Sequence, residues 1–383
     1  MSDSTLEAEI ITWRHHLHEI PETGFEEFKT SDYVAERLTS FGLQVTRGVG
    51  GTGVVGTLRR GQSQHAIGLR ADMDALVIQE VGEPAYASKH AGRMHACGHD
   101  GHMAILLGAA QLLARMADLD GTIQFVFQPA EEHGRGAKAM IANGLFTRFP
   151  MAEIYGLHNM PGLPEGRFET RPGGIMAAED NFVIRVQGRG AHAARPHMGI
   201  DPIVIAAEIV LALQTIVSRS LDPTEQAVVS VTEFITNGTR NVIPGNVILK
   251  GDTRSYSPTV QALLRDRMAA LVAGICQAHG ADHEFEYSFE FEPTVNSPEC
   301  IAGVAEAAIE VAGTENVDTD CRPVLASEDF GAFLRVIPGN FLFLGSGVSA
   351  LPLHNPCFDF NDHLLLPGAR YFAALARKRL HLT

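Results

Sequence analysis

Short apolar, strand-like runs alternate with longer helical stretches along most of this sequence. Four of these runs read AIGLRADMDAL, GTIQFVFQP, EIYGLHNM and GNFLFLGSG, and polar residues, glycine or proline end them. This alternation favours a sheet of mainly parallel strands, because helices commonly carry the chain back between parallel neighbours. We therefore predict an α/β fold with a mixed, mostly parallel sheet.

The centre of the chain has a different order of elements. Between residues 180 and 292 the patterns predict the β-α-β-β-α-β order of a small ferredoxin-like domain. A length of 383 residues also favours two domains over one. We predict a discontinuous catalytic domain, residues 1–179 and 293–383, interrupted by an α+β lid domain at residues 180–292.

Helical patterns are predicted at four places. Apolar and polar residues separate onto two sides over residues 5–41, and another helix is expected from Met103 to Met116. Inside the lid, helices are expected from Pro202 to about Ser218 and from Pro258 to His279.

Charge and composition argue against several classes of function. The 45 acidic and 30 basic side chains give a formal net charge of −15, which repels nucleic acids and anionic membranes. No apolar stretch approaches the length of about 18 residues expected of a membrane span, and no export signal is visible. Five scattered cysteines form no disulfide pattern. We expect a cytoplasmic protein with no nucleic-acid or membrane partner.

Candidate metal ligands lie near the ends of the apolar runs, where the binding sites of α/β sheets collect. Cys97 and His99 are two residues apart in a glycine-containing loop, so both side chains can face one ion. A pair of glutamates follows the strand that ends at Pro129. The full candidate set is Cys97, His99, Glu131 or Glu132, His158 and His354.

These residue types suit a particular chemistry. Cysteine, histidine and carboxylate together bind zinc or another borderline divalent ion, and a thiolate can bridge two ions. Adjacent glutamates allow one to bind metal while the other acts as general base. Taken singly, a lone cysteine also fits a small buried side chain, and a glutamate pair also fits a solvated helix face. Five polar groups at the ends of apolar strands are harder to explain as surface.

Eight motifs carry a resemblance to a known family. They are, in chain order, RADMDAL, MHACGHDGH, QPAEE, GLHNMP, RGAHAARPH, NVIPGN, SEDF and LHNP. Together they resemble the amidohydrolases that include hippurate hydrolase, N-acyl-amino-acid amidohydrolases and auxin-conjugate hydrolases, from about Arg14 to Arg370. The sequence departs from the common pattern at Ala191, where glycine is more usual, and in GDTR, where GTxR is common.

The resemblance implies two divalent ions per subunit, of zinc, manganese, cobalt or nickel. It implies that Glu131 is the general base and that His192, in the lid, helps to stabilise the reacting carbonyl oxygen. It also implies a homodimer or higher homo-oligomer formed through the lid. The implied metal ligands are Cys97, His99, Glu132, His158 and His354.

Other residues have a possible supporting role. Asp72 and Asp74 end an apolar strand, and are expected either to orient the ligand histidines or His102, or to cap the strand end. Asn241 and Arg254 lie in the lid. Arg254 suits the bidentate binding of a substrate carboxylate, and a surface salt bridge is the alternative.

The predicted function is hydrolysis of the amide bond of small N-acyl amino acids, hippurate-like or acetylated, by metal-activated water with a glutamate base. The acyl group, the amino acid and the native metal stay open.

Rival functions have weaker support. Overlapping G-x-G-x-x-G matches begin at Gly48 and Gly51, as in dinucleotide-binding enzymes, but they lead into strand-like VVGTL rather than a helix. The G-x-S-x-G sequence of a serine hydrolase does not occur. A metal-storing or regulatory protein would keep the ligands but have no use for Glu131.

Overall fold

The computed structural model describes residues 3–380, which divide into two compact units. Unit 1 contains the described residues up to Ile175, the segment Thr294–Pro323 and the residues from Glu328 onward. Unit 2 contains Met176–Pro293 together with Val324–Ser327. This last segment was expected in the catalytic domain, but it pairs with the start of unit 2, where the Ala177 amide donates to the Ala326 carbonyl at 3.0 Å.

Helices occur in both units. The α-helices of the described residues are α1 (Asp3–Glu19), α2 (Phe28–Ser40), α3 (His99–Ala114), α4 (Gly136–Ala142), α5 (Leu145–Arg148), α6 (Pro202–Thr215), α7 (Pro258–His279), α8 (Pro298–Ala312), α9 (Gly331–Leu334) and α10 (Leu365–Leu380). Short 3₁₀ segments lie at Pro196–Met198, Thr314–Asn316 and Asp362–Leu364, and a π-helical turn at Ile216–Ser220 extends α6.

The strands are mostly short. They are β1 (Gln44–Val49), β2 (Gly53–Arg60), β3 (Ala66–Asp72), β4 (Gly121–Gln128), β5 (Glu153–Met160), β6 (Phe168–Glu169), β7 (Gly173–Met176), β8 (Ala178–Gln187), β9 (Ala191–His192), β10 (Ala227–Thr236), β11 (Val242–Ile243), β12 (Asn246–Ser255), β13 (Asp282–Phe291), β14 (Thr294–Asn296), β15 (Val317–Asp318) and β16 (Gly339–Gly345).

An eight-stranded sheet forms the centre of unit 1, in the order β1-β2-β4-β3-β5-β16-β6-β15. The central strands β4, β3, β5 and β16 run parallel, while β1 and β2 continue the sheet in antiparallel pairs. Every residue of β3 and β16 is buried, as expected for central parallel strands in a sheet covered by helices. The predicted mixed, mostly parallel α/β fold with an inserted α+β domain is confirmed.

Two helix predictions need correction. Residues 5–41 form two helices rather than one, because Pro21 and Gly24 fall in the break between α1 and α2. A side chain at Gly24 would lie 2.3 Å from the His133 ring, so the chain passes too closely there for another residue. Helix α3 begins at His99 rather than Met103, and its first turn therefore carries a candidate ligand.

Unit 2 contains an antiparallel sheet of four strands in the order β10-β12-β8-β13, with α6 and α7 packed on it. With β8, α6, β10, β12, α7 and β13 in chain order, this is the predicted β-α-β-β-α-β arrangement. Residues Pro202–Ser220 are long and apolar enough to cross a membrane by length and composition alone. In this structure Ile205, Ile209 and Leu213 of that helix are buried in the core of unit 2.

Candidate metal centre

The parallel order of the central strands gathers the candidate ligands at one edge of the sheet of unit 1. Parallel neighbours end at the same edge, so residues at or after the carboxyl ends of β3, β4, β5 and β16 can meet there. His158 lies near the end of β5, and the glutamate pair follows β4. His354 comes in the loop after β16, where its amide donates to the Ala96 carbonyl at 2.8 Å.

The candidate ligands form two clusters that share one thiol. The first cluster is Cys97, His99 and His158, and the second is Cys97, Glu132 and His354. Within each cluster the possible ligand atoms all lie within 4.8 Å of one another. A thiolate common to two clusters is the arrangement that a bridging ligand between two ions requires.

Hydrogen bonds direct the buried histidines towards these clusters. The Nδ1 of His99 pairs with the Asp74 carbonyl at 2.8 Å, and the Nδ1 of His158 pairs with the Asn159 carbonyl at 2.7 Å. A carbonyl can only accept, so both rings carry their proton on Nδ1 and leave the lone pair of Nε2 for a metal. The Nε2 of His158 lies 3.5 Å from the Cys97 sulfur.

Among the candidate ligands, two buried atoms have no hydrogen-bond partner in the part of the chain that the structure describes: the Nε2 of His99 and the Oε1 of Glu132. They lie 3.9 Å apart, and the same carboxylate oxygen is 3.5 Å from the Nε2 of His354. Unpaired buried polar atoms are costly unless another group satisfies them. The residues therefore fit two divalent ions, a fit that rests on these two unpaired atoms and on the mixed sulfur, nitrogen and oxygen donors.

Asp72, Asp74 and His102 surround the clusters. The Asp72 carboxylate is 2.7 Å from the Nδ1 of His102, whose Nε2 is 2.6 Å from the Asn159 side chain. Both ring nitrogens of His102 therefore have hydrogen-bond partners, and its ring centre lies 4.6 Å from that of His158. Asp74 accepts the amides of Glu131 and Glu132 at 3.0 and 3.1 Å, so its carboxylate fixes the glutamate pair.

Glu131 faces a second group of carboxylates. Its carboxylate lies within 4.8 Å of those of Glu328 and Asp329. Burial, and next the charges of Glu328 and Glu132, raise the pKa of Glu131 well above its usual value. A glutamate of raised pKa retains a proton more readily than an exposed one, which suits a group that takes up and returns a proton.

Arg70, for which the sequence predicted no role, is buried beside this carboxylate group. Its guanidinium nitrogens lie 2.8 Å from Asp72, 2.7 Å from Glu328 and 3.3 Å from Asp329. A buried cation of this kind is stable only when it is fully paired. The sequence signal for it was an arginine directly after the apolar run AIGL of strand β3.

The loop that carries His354 holds an unusual backbone conformation. The φ of His354 is 64°, in the left-handed region that residues with a side chain rarely adopt. The Glu132 carboxylate, 3.5 Å from its Nε2, raises the pKa of His354, whose side chain is about half exposed. Burial raises the pKa of the Cys97 thiol, so cations are needed beside it to favour the thiolate.

The predicted lid residues lie in unit 2. Strands β9 and β11 place His192 opposite Val242, and the Ala193 amide donates to the Asn241 carbonyl at 3.0 Å. The Nδ1 of His192 accepts the Ala194 amide at 3.1 Å, so the proton of a neutral ring lies on Nε2. Arg254 forms ion pairs of 2.7 Å with both Glu179 and Asp252.

The glycine-rich segment is a hairpin. Gly50, Gly51 and Thr52 connect the antiparallel strands β1 and β2, and no helix lies between β2 and β3 in the described chain. A dinucleotide-binding fingerprint requires a helix that begins at the glycines. The G-x-G-x-x-G matches of this chain lie in a hairpin instead, so they do not form that fingerprint.

Comparison with known proteins gives consistent results. The sequence profile of peptidase family M20/M25/M40 matches residues 68–378. Hippurate hydrolase of Campylobacter jejuni is 41% identical over 98% of this chain and 97% of its own length. Thermostable carboxypeptidase 2 of Saccharolobus solfataricus is 39% identical over 96% of this chain and 95% of its own. The crystal structure of the YXEP protein of Bacillus subtilis, described as a dinuclear metal binding peptidase from the M20 family, matches with a TM-score of 0.88 and 31% identity over 100% of both chains.

Proposed function

This chain belongs to peptidase family M20/M25/M40, and from that premise we propose that it hydrolyses the amide bond of small N-acyl amino acids. It is a metal-dependent amidohydrolase, as the resemblance of its motifs predicted. The observation that carries the proposal is the pair of ligand clusters sharing Cys97, with the Glu131 carboxylate beside them. Hippurate, the substrate in the name of its relative, is itself an N-acyl amino acid.

The residues present have distinct tasks in the proposed reaction. Cys97, His99, Glu132, His158 and His354 would hold two divalent ions. When bound, these ions supply a water of lowered pKa and polarise the amide carbonyl. Glu131 accepts a proton from the attacking water and delivers it to the nitrogen of the leaving amine.

His192 has the tautomer that its proposed role needs. Because its Nδ1 accepts a backbone amide, its Nε2–H can donate to the carbonyl oxygen as negative charge develops there. A substrate role for Arg254 has less support, because Glu179 and Asp252 already pair with its guanidinium. Asn241 also stays a proposed substrate contact.

The substrate range can include peptides. The last residue of any peptide is an amino acid acylated by the rest of the chain, so one site can cleave hippurate-like amides and remove C-terminal residues. The carboxypeptidase relative supports including such substrates.

All five cysteines are free thiols, which supports the proposed cytoplasmic location.

The testing experiment combines metal removal with a substrate panel. Hippurate, N-acetyl amino acids and N-blocked dipeptides would be incubated with the purified protein, with its metal content measured in parallel. We expect chelation to abolish hydrolysis and a divalent ion to restore it. The variant Cys97→Ala should lose both metal and activity, while Cys276→Ala, a buried thiol of unit 2, controls for thiol loss.

Two results would contradict the proposal. Full hydrolysis by the metal-free protein would remove the metal-dependent mechanism. Two bound ions without turnover of any amide in the panel would instead favour a metal-storing or regulatory protein.

A further inference from the structure

Helix α1 carries a fully buried arginine that lies beside three carboxylates from other parts of the chain. Arg14 is 0% exposed, and its Nε donates to the Asp100 carboxylate at 2.8 Å. Its Nη2 donates to Asp359, and its Nη1 lies 3.6 Å from Asp362. Burying a guanidinium is costly unless it is paired. The segments that carry its partners therefore indicate what the buried arginine does.

The partners of Arg14 belong to the two segments that carry the ligands. Asp100 directly follows His99, in the first turn of α3. Asp359 belongs to the loop that begins after β16 and contains His354. His99 is a member of the first cluster and His354 of the second. One guanidinium therefore connects a ligand segment of each cluster.

We infer that Arg14 is a positioning residue, which holds the segments of His99 and His354 in the relative placement that two ions need. This inference rests on the proposed ligand set. Arg14 is far from both segments along the chain, 86 residues from Asp100 and 345 from Asp359. Its planar fork of donors fixes direction as well as distance.

The other contacts between these two segments leave their relative orientation to Arg14. The hydrogen bond from the His354 amide to the Ala96 carbonyl fixes one point and allows rotation about it. The Phe360 ring packs where a side chain at Gly101 would lie, 2.4 Å from the ring carbons, but it supplies no polar direction. The left-handed backbone of His354 persists only if its surroundings restrain it.

Two neighbours hold the arrangement in place. The Nδ1 of His18, one helical turn after Arg14, lies 2.7 Å from the same oxygen of Asp100. The Tyr86 hydroxyl donates to Asp359 at 2.7 Å, and the Arg14 guanidinium lies 4.7 Å from the centre of the Tyr86 ring. Each carboxylate is thus bound by Arg14 and by one further group.

The variant Asp359→Asn tests the inference with the least disturbance, because it keeps the buried Arg14–Asp100 pair and alters a half-exposed residue. Arg14→Lys is the stronger second variant. Metal-free full-length protein would be titrated with Co²⁺, using thiolate-to-cobalt absorption and the number of ions bound. We expect both variants to bind Co²⁺ about 10- to 100-fold more weakly. Excess metal should restore activity.

The control is Glu153→Gln, which weakens another partly buried pair of unit 1, with Arg379. Glu153 begins β5, at the opposite end of the strand from His158. This variant should lower the unfolding midpoint of the metal-free protein and leave Co²⁺ affinity unchanged.

Two results would overturn the inference. If Asp359→Asn and Arg14→Lys bound two ions with wild-type affinity, and only the unfolding midpoint fell, Arg14 would have a purely structural role. If the wild-type protein bound fewer than two ions or gave no thiolate absorption, the proposed ligand set would fail, and this inference with it.

Discussion

Glu131 and Glu132 are neighbours in one turn, and both carboxylates lie 3.9 Å from the Nε2 of His99, but their other neighbours differ. Glu132 lies 3.5 Å from His354 and belongs to the second cluster. Glu131 is grouped with His99 and Glu132, and it also lies beside Glu328 and Asp329. On an extended segment, neighbouring side chains would point to opposite sides. The structure has a turn closed by a hydrogen bond from the Gly134 amide to the Glu131 carbonyl, so it is the turn that separates them.

Substitution should separate the tasks of the two glutamates. Glu131→Gln should keep its metal and most of its substrate affinity, and lose about 10²- to 10⁴-fold in turnover, because a positioned general base is removed. Glu132→Gln should weaken metal binding, and excess metal should partly restore its activity. Metal content and steady-state kinetics of both variants provide the measurement.

The reverse pattern, with metal lost from Glu131→Gln and full metal without turnover in Glu132→Gln, would exchange the two roles. Unchanged activity in both variants would remove the pair from the mechanism.

At the scale of the elements, a buried glutamate connects three of them beside the metal centre. Glu27 precedes α2, and its carboxylate accepts the Ala130 amide at 2.8 Å. The Thr52 hydroxyl, from the hairpin between β1 and β2, donates to the same carboxylate. Ala130 has a φ of 49° and directly precedes the glutamate pair. Glu27 thus supports a strained residue at the start of the turn that carries Glu131 and Glu132.

This connection predicts a pH dependence of stability. Burial raises the pKa of Glu27 from 4.5 to about 7, although the hydrogen bond from Thr52 opposes the shift. Because the pKa is higher in the folded state, the favourable contribution is complete below pH 4.5 and declines as the pH rises towards about 7. Glu27→Gln should therefore gain up to about 3 kcal/mol relative to wild type between pH 5 and 8.

The measurement is the free energy of unfolding of the metal-free protein at both pH values, by chemical denaturation. Glu36→Gln, an exposed glutamate of α2, controls for the loss of a charge. If wild type and Glu27→Gln had the same pH dependence, ionisation of Glu27 would not destabilise the folded state, and the prediction would be wrong.

At the scale of the whole molecule, the predicted homodimer depends on unit 2. The two edge strands of its sheet, β10 and β13, differ in character. On β13, exposed Glu284 and Glu286 protect the edge against pairing. On β10, the neighbouring Phe234 and Ile235 are 43% and 42% exposed, whereas on β13 the large exposed apolar side chain is Phe289, at 39%. We propose that dimers form through the β10 edge.

Light scattering at micromolar concentration should give twice the mass of one chain. Ile235→Lys places a charge on the β10 edge and should shift the protein towards monomer. The control Ser288→Lys, on the β13 edge, should leave the dimer intact. A wild-type monomer would contradict the dimer, and an Ile235→Lys dimer would contradict this edge.

The sequence by itself determined the elements and the chemistry. Strand-like runs, their polar ends and eight ordered motifs predicted the sheet, the inserted domain and the family, because these signals are local in the chain. Helix α7 has the predicted bounds, Pro258–His279. The break between α1 and α2 was missed because both halves have helical periodicity.

Only the tertiary structure decided which distant groups meet. The roles inferred for Arg14, Glu27 and Arg70 depend on partners as far as 345 residues away. Both ring nitrogens of His102 proved to be hydrogen-bonded, and Arg254 proved to be paired within unit 2. The physical reason is that periodicity reports which face of an element is buried, whereas the pairing of buried charges depends on how the sheet orders its strands.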